Sequence, residues 1–169
     1  MVPSEHRLRP TSDRVRTVLF DVLGNFSRYP RVLDLFAGSG ALGVEAISRG
    51  AEWVDFIEKD RRNAEVIKAN LMKTHLEDHG RVVVEDAFVF LSRPVPADEP
   101  YDLILADPPY DFGEEQRLID RLAAGDRLRA EGRFVLESSA RVQAPRASGF
   151  LHLISERIIG ESVLRFYAR

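Results

Sequence analysis

The chain has 169 residues, of which 44% are hydrophobic and 30% charged, and it carries a formal net charge of −3 at pH 7. That length supports one well-packed core and is short for two, no apolar run approaches the roughly 18 residues of a membrane span, and "MVPSEHRLRP" lacks the apolar stretch of a signal peptide. The absence of cysteine excludes disulfides, thiolate metal sites and cysteine nucleophiles, and the mild negative charge argues against indiscriminate nucleic-acid binding. The expectation is one domain over residues 1–169, in the cytoplasm, with a basic segment and helix over 1–30 and a sheet over 31–169. The charge is uneven: Arg7, Arg9, Arg14, Arg16, Arg28 and Arg31 stand against Glu5, Asp13 and Asp21 at the start of the chain.

In chain order, Ser12 can cap a helix whose apolar positions Val15, Val18, Leu19, Val22, Leu23 and Phe26 keep the helical period, with Gly24 and Pro30 near its end. "RVLDLF" (31–36) is an apolar run ending in a glycine turn, and "LGVEAIS" after it has helical spacing. The unit repeats. "WVDFIE" (53–58) leads into a helix from Asp60 to Lys73, "RVVVED" (81–86) into "AFVFLS", and "YDLILAD" (101–107) into the Pro108-Pro109 turn. A helix around Leu118 to Ala124 and a fifth strand, "GRFVLESS", follow. Near-continuous apolar strands alternating with helices indicate a parallel sheet covered on both faces. The final "FLHLISERIIGESVLRFYAR" instead has two β-rich runs around Gly160, which reads as an antiparallel hairpin. The predicted fold is therefore α/β and Rossmann-like, a mostly parallel seven-stranded sheet of the class I methyltransferase kind with a C-terminal antiparallel hairpin. Segments 92–100 and 141–149 are the expected flexible stretches.

Gly38-Ser39-Gly40-Ala41-Leu42-Gly43 spells the G-x-G-x-x-G pattern of dinucleotide-binding loops, which by itself reports only a tight strand-to-helix turn with room for a ligand. Asp34, four residues upstream, discriminates among ligands. A pyrophosphate would meet that carboxylate as a like charge, whereas S-adenosylmethionine brings an ammonium, a sulfonium and no phosphate. Glu58 ends the second strand, where an acid accepts hydrogen bonds from ribose hydroxyls. Asp86 ends the third, where it can reach an adenine amino group while Phe88 packs on the ring. One acid at a strand end is ordinarily solvated at the rim; three at successive strand ends form a pattern. Phe36, Ala37, Gly38, Ser39, Gly40, Lys59, Ala87 and Asp107 complete the expected cofactor contacts.

Asp107-Pro108-Pro109-Tyr110 closes the fourth strand. A planar nucleobase amino group is a poor nucleophile because its lone pair is delocalised into the ring. A carboxylate accepting one N–H and a backbone carbonyl accepting the other favour a pyramidal nitrogen, the prolines stiffen the turn, and the tyrosine can stack on the base. Because the leaving thioether is neutral, no metal is required. This chemistry leaves N2 of guanine and N6 of adenine equally open.

His75 and His79 have i, i+4 spacing, but Leu76 stands where a zinc-protease pattern needs glutamate, so a solvated helix end is expected. Ser138 and Ser139 lack a G-x-S-x-G elbow. Phe166 and Tyr167 are read as core. Arg7, Arg9, Arg14 and Arg16 form either a solvated face or phosphate contacts for a nucleic acid.

"RPTSDRVRTVLFDVL" (9–23), "VLDLFAGSGALGVEAISRGA" (32–51), "FIEKD" (56–60) and "ILADPPY" (104–110) together resemble the bacterial 16S ribosomal RNA guanine-N2 methyltransferases. The glycine loop and D-P-P-Y are shared with many amino methyltransferases, DNA adenine enzymes included; their combination with the "RPTSDRVR" opening is more specific. The resemblance implies methyl transfer from S-adenosylmethionine to N2 of guanine 966 of 16S rRNA, in the small subunit or an assembly intermediate, by a monomer without membrane partners. It places Asp34, Gly38 and Gly40 at the methionine end of the cofactor, Glu58 at the ribose, Asp86 at the adenine, Asp107 to Tyr110 at the guanine amino group, and Arg9, Thr11 and Arg14 along the cleft. Members of that family carry a basic β-hairpin ahead of this opening, whereas eight residues, Met1 to Leu8, precede Arg9 here. That departure bears on RNA anchoring and leaves the cofactor site untouched. The competing readings are a DNA adenine-N6 methyltransferase, an NAD oxidoreductase and a non-catalytic ribosome-binding factor.

Overall fold

The computed structural model describes residues 13–96 and 100–169. Five strands, β1 (Arg31–Leu35), β2 (Trp53–Glu58), β3 (Gly80–Val84), β4 (Tyr101–Ala106) and β5 (Leu128–Ser139), alternate with the helices α2 (Ala41–Ser48), α3 (Arg61–Lys73), α4 (Ala87–Ser92) and α5 (Glu115–Ala123), after an opening helix α1 (Asp13–Leu23). β6 (Ala147–Ser148), β7 (Leu151–Ile159) and β8 (Ser162–Ala168) complete the chain. The sheet order is β3-β2-β1-β4-β5-β8-β7-β6. β1 to β5 pair in parallel, and β8 and β7 return antiparallel around Gly160, whose φ of +60° is the left-handed geometry of that hairpin turn.

The expected sheet gains one strand. Ala147 and Ser148 pair with His152 and Leu151, so part of the stretch expected to be flexible adds to the otherwise open edge of β7.

Alternate residues of each strand feed two apolar layers. Val32, Val54, Phe56, Leu103 and Leu105 face α1, α2 and α3, while Leu33, Leu35, Ile57, Ile104 and Phe134 face α4 and α5. Double coverage explains why β1 and β4 read as near-continuous apolar runs. A Cβ added to Gly43 would stand 2.2 Å from Cε1 of Phe56, so the third glycine of the fingerprint serves close packing of α2 on the sheet.

Some boundaries differ from the expected ones. α1 ends at Leu23, where Gly24 (φ +71°) donates its N–H to the Phe20 carbonyl at 2.9 Å, and Phe26 reaches the core from a separate 3-10 turn. Phe20 is buried and Val22 is partly exposed, a rotation of the helix face relative to the sequence pattern. The Ser12 cap lies outside the described residues. β5 starts four residues before "GRFVLESS", and α5 starts at Glu115. His75 follows the end of α3 with φ +56°, and His79 sits in its own 3-10 turn, so the two do not share a helix face.

Two buried charges organise regions away from the strand carboxyl ends. At the amino ends of the strands, Asp55 is fully buried and accepts from Trp53 Nε1 (3.0 Å), Arg81 Nε (3.0 Å) and Nη2 (3.1 Å), and the Tyr101 hydroxyl (2.6 Å). Burial and the adjacent Asp55 carboxylate push the Tyr101 phenol upward. In the hairpin, Arg165 donates to Glu156 Oε1 (2.8 Å) and Ser138 Oγ (2.6 Å), tying β8 to β7 and β5; this gives Ser138 a structural partner.

Candidate active site

The strand order reverses between β1 and β4, and in such sheets the ligand crevice opens beyond the carboxyl ends of those strands. Asp34 on β1, Glu58 at the end of β2 and Asp107 just past β4 converge there. Asp34 is 1% exposed, and its Oδ2 accepts the Gly43 N–H at 3.0 Å. Burial raises its pKa to about 8; the Gly43 hydrogen bond opposes this, and the charges of Asp107 and Glu58 add to it. Among the described residues Asp34 forms no ion pair.

Glu58 is also buried, and it does more than end a strand. Oε2 accepts the Gly38 N–H at 2.8 Å and Oε1 the Asp60 N–H at 2.8 Å. The acid expected to read a ribose thus also fixes the glycine loop from beneath. Gly38 and Gly40 take φ of +56° and +79°, which only glycine adopts readily. Further ties are Ala37 N–H to the Ile57 carbonyl (3.0 Å), Gly40 N–H to the Ala37 carbonyl (2.7 Å) and Asn70 Nδ2 to the Ser39 carbonyl (3.0 Å). Ser39 and Lys59 are exposed and Ala37 is buried.

Asp86 caps α4: its Oδ1 accepts the N–H groups of Phe88 (2.9 Å) and Val89 (3.2 Å), leaving the carboxylate exposed at the helix start with Ala87 buried behind it. Asp107 is half-buried, Pro108 buried, Pro109 exposed, and Tyr110 is 58% exposed. The Phe112 N–H closes the turn on the Pro109 carbonyl at 2.9 Å.

Three rings bridge these loops. Phe36 meets Phe112 edge to face at 5.1 Å between centroids, and Phe112 lies parallel to Phe88, 9° between planes, at 6.0 Å. The Arg117 guanidinium of α5 lies 4.1 Å over Phe88 and pairs with Glu114. Phe36 has φ +60°, a conformation that a non-glycine residue keeps only where its surroundings fix it.

The site therefore gathers the carboxylates of Asp34, Glu58 and Asp107 around the glycine loop and sets Asp86 and Ala87 at the adjoining helix start. Arg14 is exposed on the first turn of α1, a helix packed near β7 and β8. Arg7, Arg9 and Thr11 lie outside the described residues. Sequence reasoning missed Phe112 and Asn70. An aromatic two residues past the D-P-P-Y tyrosine was a usable signal for Phe112, whereas nothing in the helical pattern sets Asn70 apart.

A sheet of this order, closed by an antiparallel hairpin and carrying a glycine loop after β1, defines a Rossmann-like class I methyltransferase. Residues 1–168 match the family described as Conserved hypothetical protein 95. The chain is 35% identical over 168 residues to Ribosomal RNA small subunit methyltransferase D of Escherichia coli (strain K12), covering 99% of this chain and 83% of that protein. The chain belongs to that methyltransferase family. A solved hypothetical protein of Thermus thermophilus superposes with a TM-score of 0.81 at 33% identity, over 98% of this chain and 90% of that one. SMU.776, solved as a complex with SAH, shares the fold at a TM-score of 0.74 and 18% identity, over 92% of this chain and 48% of that one.

Proposed function

We propose that the protein methylates ribosomal RNA with S-adenosylmethionine as donor, and that its target is the exocyclic N2 of guanine 966 in 16S rRNA. The observation that carries the cofactor reading is the acid cluster. A buried Asp34, pushed up to about 8 and with no cation paired to it among the described residues, suits a cationic ligand that would favour its charged form, while the neighbouring Glu58 and Asp107 carboxylates disfavour a pyrophosphate. The donor set therefore fits the cofactor. Asp34 and the loop from Phe36 to Gly40 would hold its methionine end, Glu58 and Lys59 the ribose, and Asp86 with Ala87 the adenine. When bound, the cofactor supplies an electrophilic methyl on a sulfonium, whose leaving group is a neutral thioether.

The rest is done by this chain. Asp107 accepts one N–H of the base amino group and a backbone carbonyl of its turn accepts the other, which directs the nitrogen lone pair out of the ring. Pro108 and Pro109 hold the acceptors in place, and the exposed Tyr110 ring offers a stacking surface. The nitrogen gains a carbon and gives up one proton, for which Asp107 is the acceptor. Arg7, Arg9, Thr11 and Arg14 provide the substrate side. A net charge of −3 limits phosphate attraction, so the reading favours the assembled small subunit or an assembly intermediate as substrate, recognised by a monomer through shape as well as charge.

Proton linkage tests the role of Asp34. Its folded pKa is raised, so at pH 7 the empty site holds a proton that a bound ammonium displaces. Calorimetry of S-adenosylhomocysteine, which keeps that ammonium, in buffers of different ionisation enthalpy should show release of about one proton at pH 7. The release should vanish in Asp34→Asn. No release from the wild type would remove Asp34 from the cofactor site. For the substrate, labelled S-adenosylmethionine should transfer methyl groups to unmethylated small subunits and not to duplex DNA; the opposite preference would point to an adenine-N6 enzyme.

A further inference from the structure

Phe112, in the loop that follows Asp107 to Tyr110, touches the other two loops of the site. Its backbone N–H ends the turn on Pro109, and Gly113 (φ +66°) then redirects the chain toward α5. The Phe112 ring stands against Phe36 of the β1–α2 loop and Phe88 of α4, at 5.1 and 6.0 Å. Those two segments also carry the residues assigned to opposite ends of the cofactor: Gly38 and Gly40 follow Phe36, and Asp86 caps the helix of Phe88. Arg117 over Phe88 extends the contact to α5, so the β1–α2 loop, the α4 start, the β4–α5 loop and α5 form one continuous set. Phe36 takes a φ of +60° within this set, a conformation that its surroundings must hold.

We propose that Phe112 is a positioning residue that couples the two halves of the site, so that a ligand ordering the Phe36 loop and the α4 start tightens the grip of the D-P-P-Y loop on the base. The proposal rests on the methyl-transfer reading above. A displacement of Phe36 or Phe88 is passed through ring contact to Phe112, and through the 109–112 turn to Tyr110 and Asp107. A ring acting only as filler would set stability and leave cofactor and substrate binding independent.

The test measures the affinity of unmethylated small subunits with and without saturating S-adenosylhomocysteine, alongside calorimetry of S-adenosylhomocysteine alone. In the wild type the ligand should raise subunit affinity about tenfold. Phe112→Tyr, which keeps the ring, should retain that ratio. Phe112→Ala and Phe112→Leu should bring it to within about twofold of unity, and neither should change affinity for S-adenosylhomocysteine alone more than about threefold. Leu keeps apolar bulk, so it serves as the readout if the Ala variant does not fold. An unchanged ratio in Phe112→Leu, or a ratio of one in a wild type that binds S-adenosylhomocysteine, overturns the coupling while leaving the methyl-transfer reading intact. A wild type that does not bind S-adenosylhomocysteine overturns both.

Discussion

Replacing Asp107 by Ala should lower methyl transfer about 1,000-fold while leaving affinity for S-adenosylhomocysteine within about threefold of the wild type. On the proposed reading the two effects separate, because Asp107 serves the base and its proton, whereas Asp34, the glycine loop, Glu58 and the start of α4 would hold the cofactor. A nucleobase amino group without its acceptor keeps the lone pair in the ring, so the loss falls on turnover and leaves binding of the cofactor nearly unchanged. The variant carries a second signature. The Asp107 charge contributes to the raised pKa of Asp34, so its removal should move that carboxyl downward and reduce the protons released on cofactor binding at pH 7. Single-turnover kinetics and buffer-dependent calorimetry read the two quantities separately. Unchanged turnover would remove Asp107 from the chemistry.

Asp55→Ala should be the most damaging substitution for stability, with a loss of about 3–5 kcal/mol. Its carboxylate is fully buried and is the shared acceptor for the Trp53 indole, the Arg81 guanidinium and the Tyr101 hydroxyl, with Arg31 Nη2 at 3.7 Å. Truncation leaves the hydroxyl and the indole N–H without an acceptor at the base of four parallel strands, and the desolvation of those groups is then uncompensated. Chemical denaturation should show the loss, and melting should fall by about 10 °C. Tyr101→Phe removes a single donor and should cost about 1–2 kcal/mol. Because the cluster occupies the amino ends of the strands, both variants should bind S-adenosylhomocysteine normally at temperatures where they remain folded. A loss below about 1 kcal/mol for Asp55→Ala would mean that the network is not a structural hub.

The parallel core is legible because β1, β2 and β4 are buried on both faces and are therefore written as near-continuous apolar runs with glycine, proline or an acid at their ends. β3 lies at the sheet edge and is only partly covered, so its pattern does not mark where it ends: the strand stops at Val84 and Asp86 becomes a helix cap. β6 has two residues and no apolar signature of its own; it exists because β7 offers an open edge. The end of α1 was misjudged because Phe26 continues the helical spacing although Gly24 has already turned the chain.

The site shows the same division. Asp34, Glu58, Asp86 and Asp107 announce themselves as acids at strand ends, since local spacing places them there. What each does within the fold depends on partners distant in sequence. Glu58 holds Gly38 across 20 positions, and Phe112 meets Phe36 and Phe88 only after three loops are folded side by side. Asn70 acts on the Ser39 carbonyl from α3 for the same reason. Long-range contacts among loops have no periodicity to read.

Incubating the protein with labelled S-adenosylmethionine and unmethylated small ribosomal subunits, then mapping the modified nucleotide and identifying the methylated atom by mass spectrometry of its nucleoside, decides whether an exocyclic guanine amino group of rRNA is the target. The expected result is a single labelled N2-methylguanine at position 966 of 16S rRNA, absent with Asp107→Ala. Label on an adenine, on a ring nitrogen, or on no nucleotide of the subunit would contradict it.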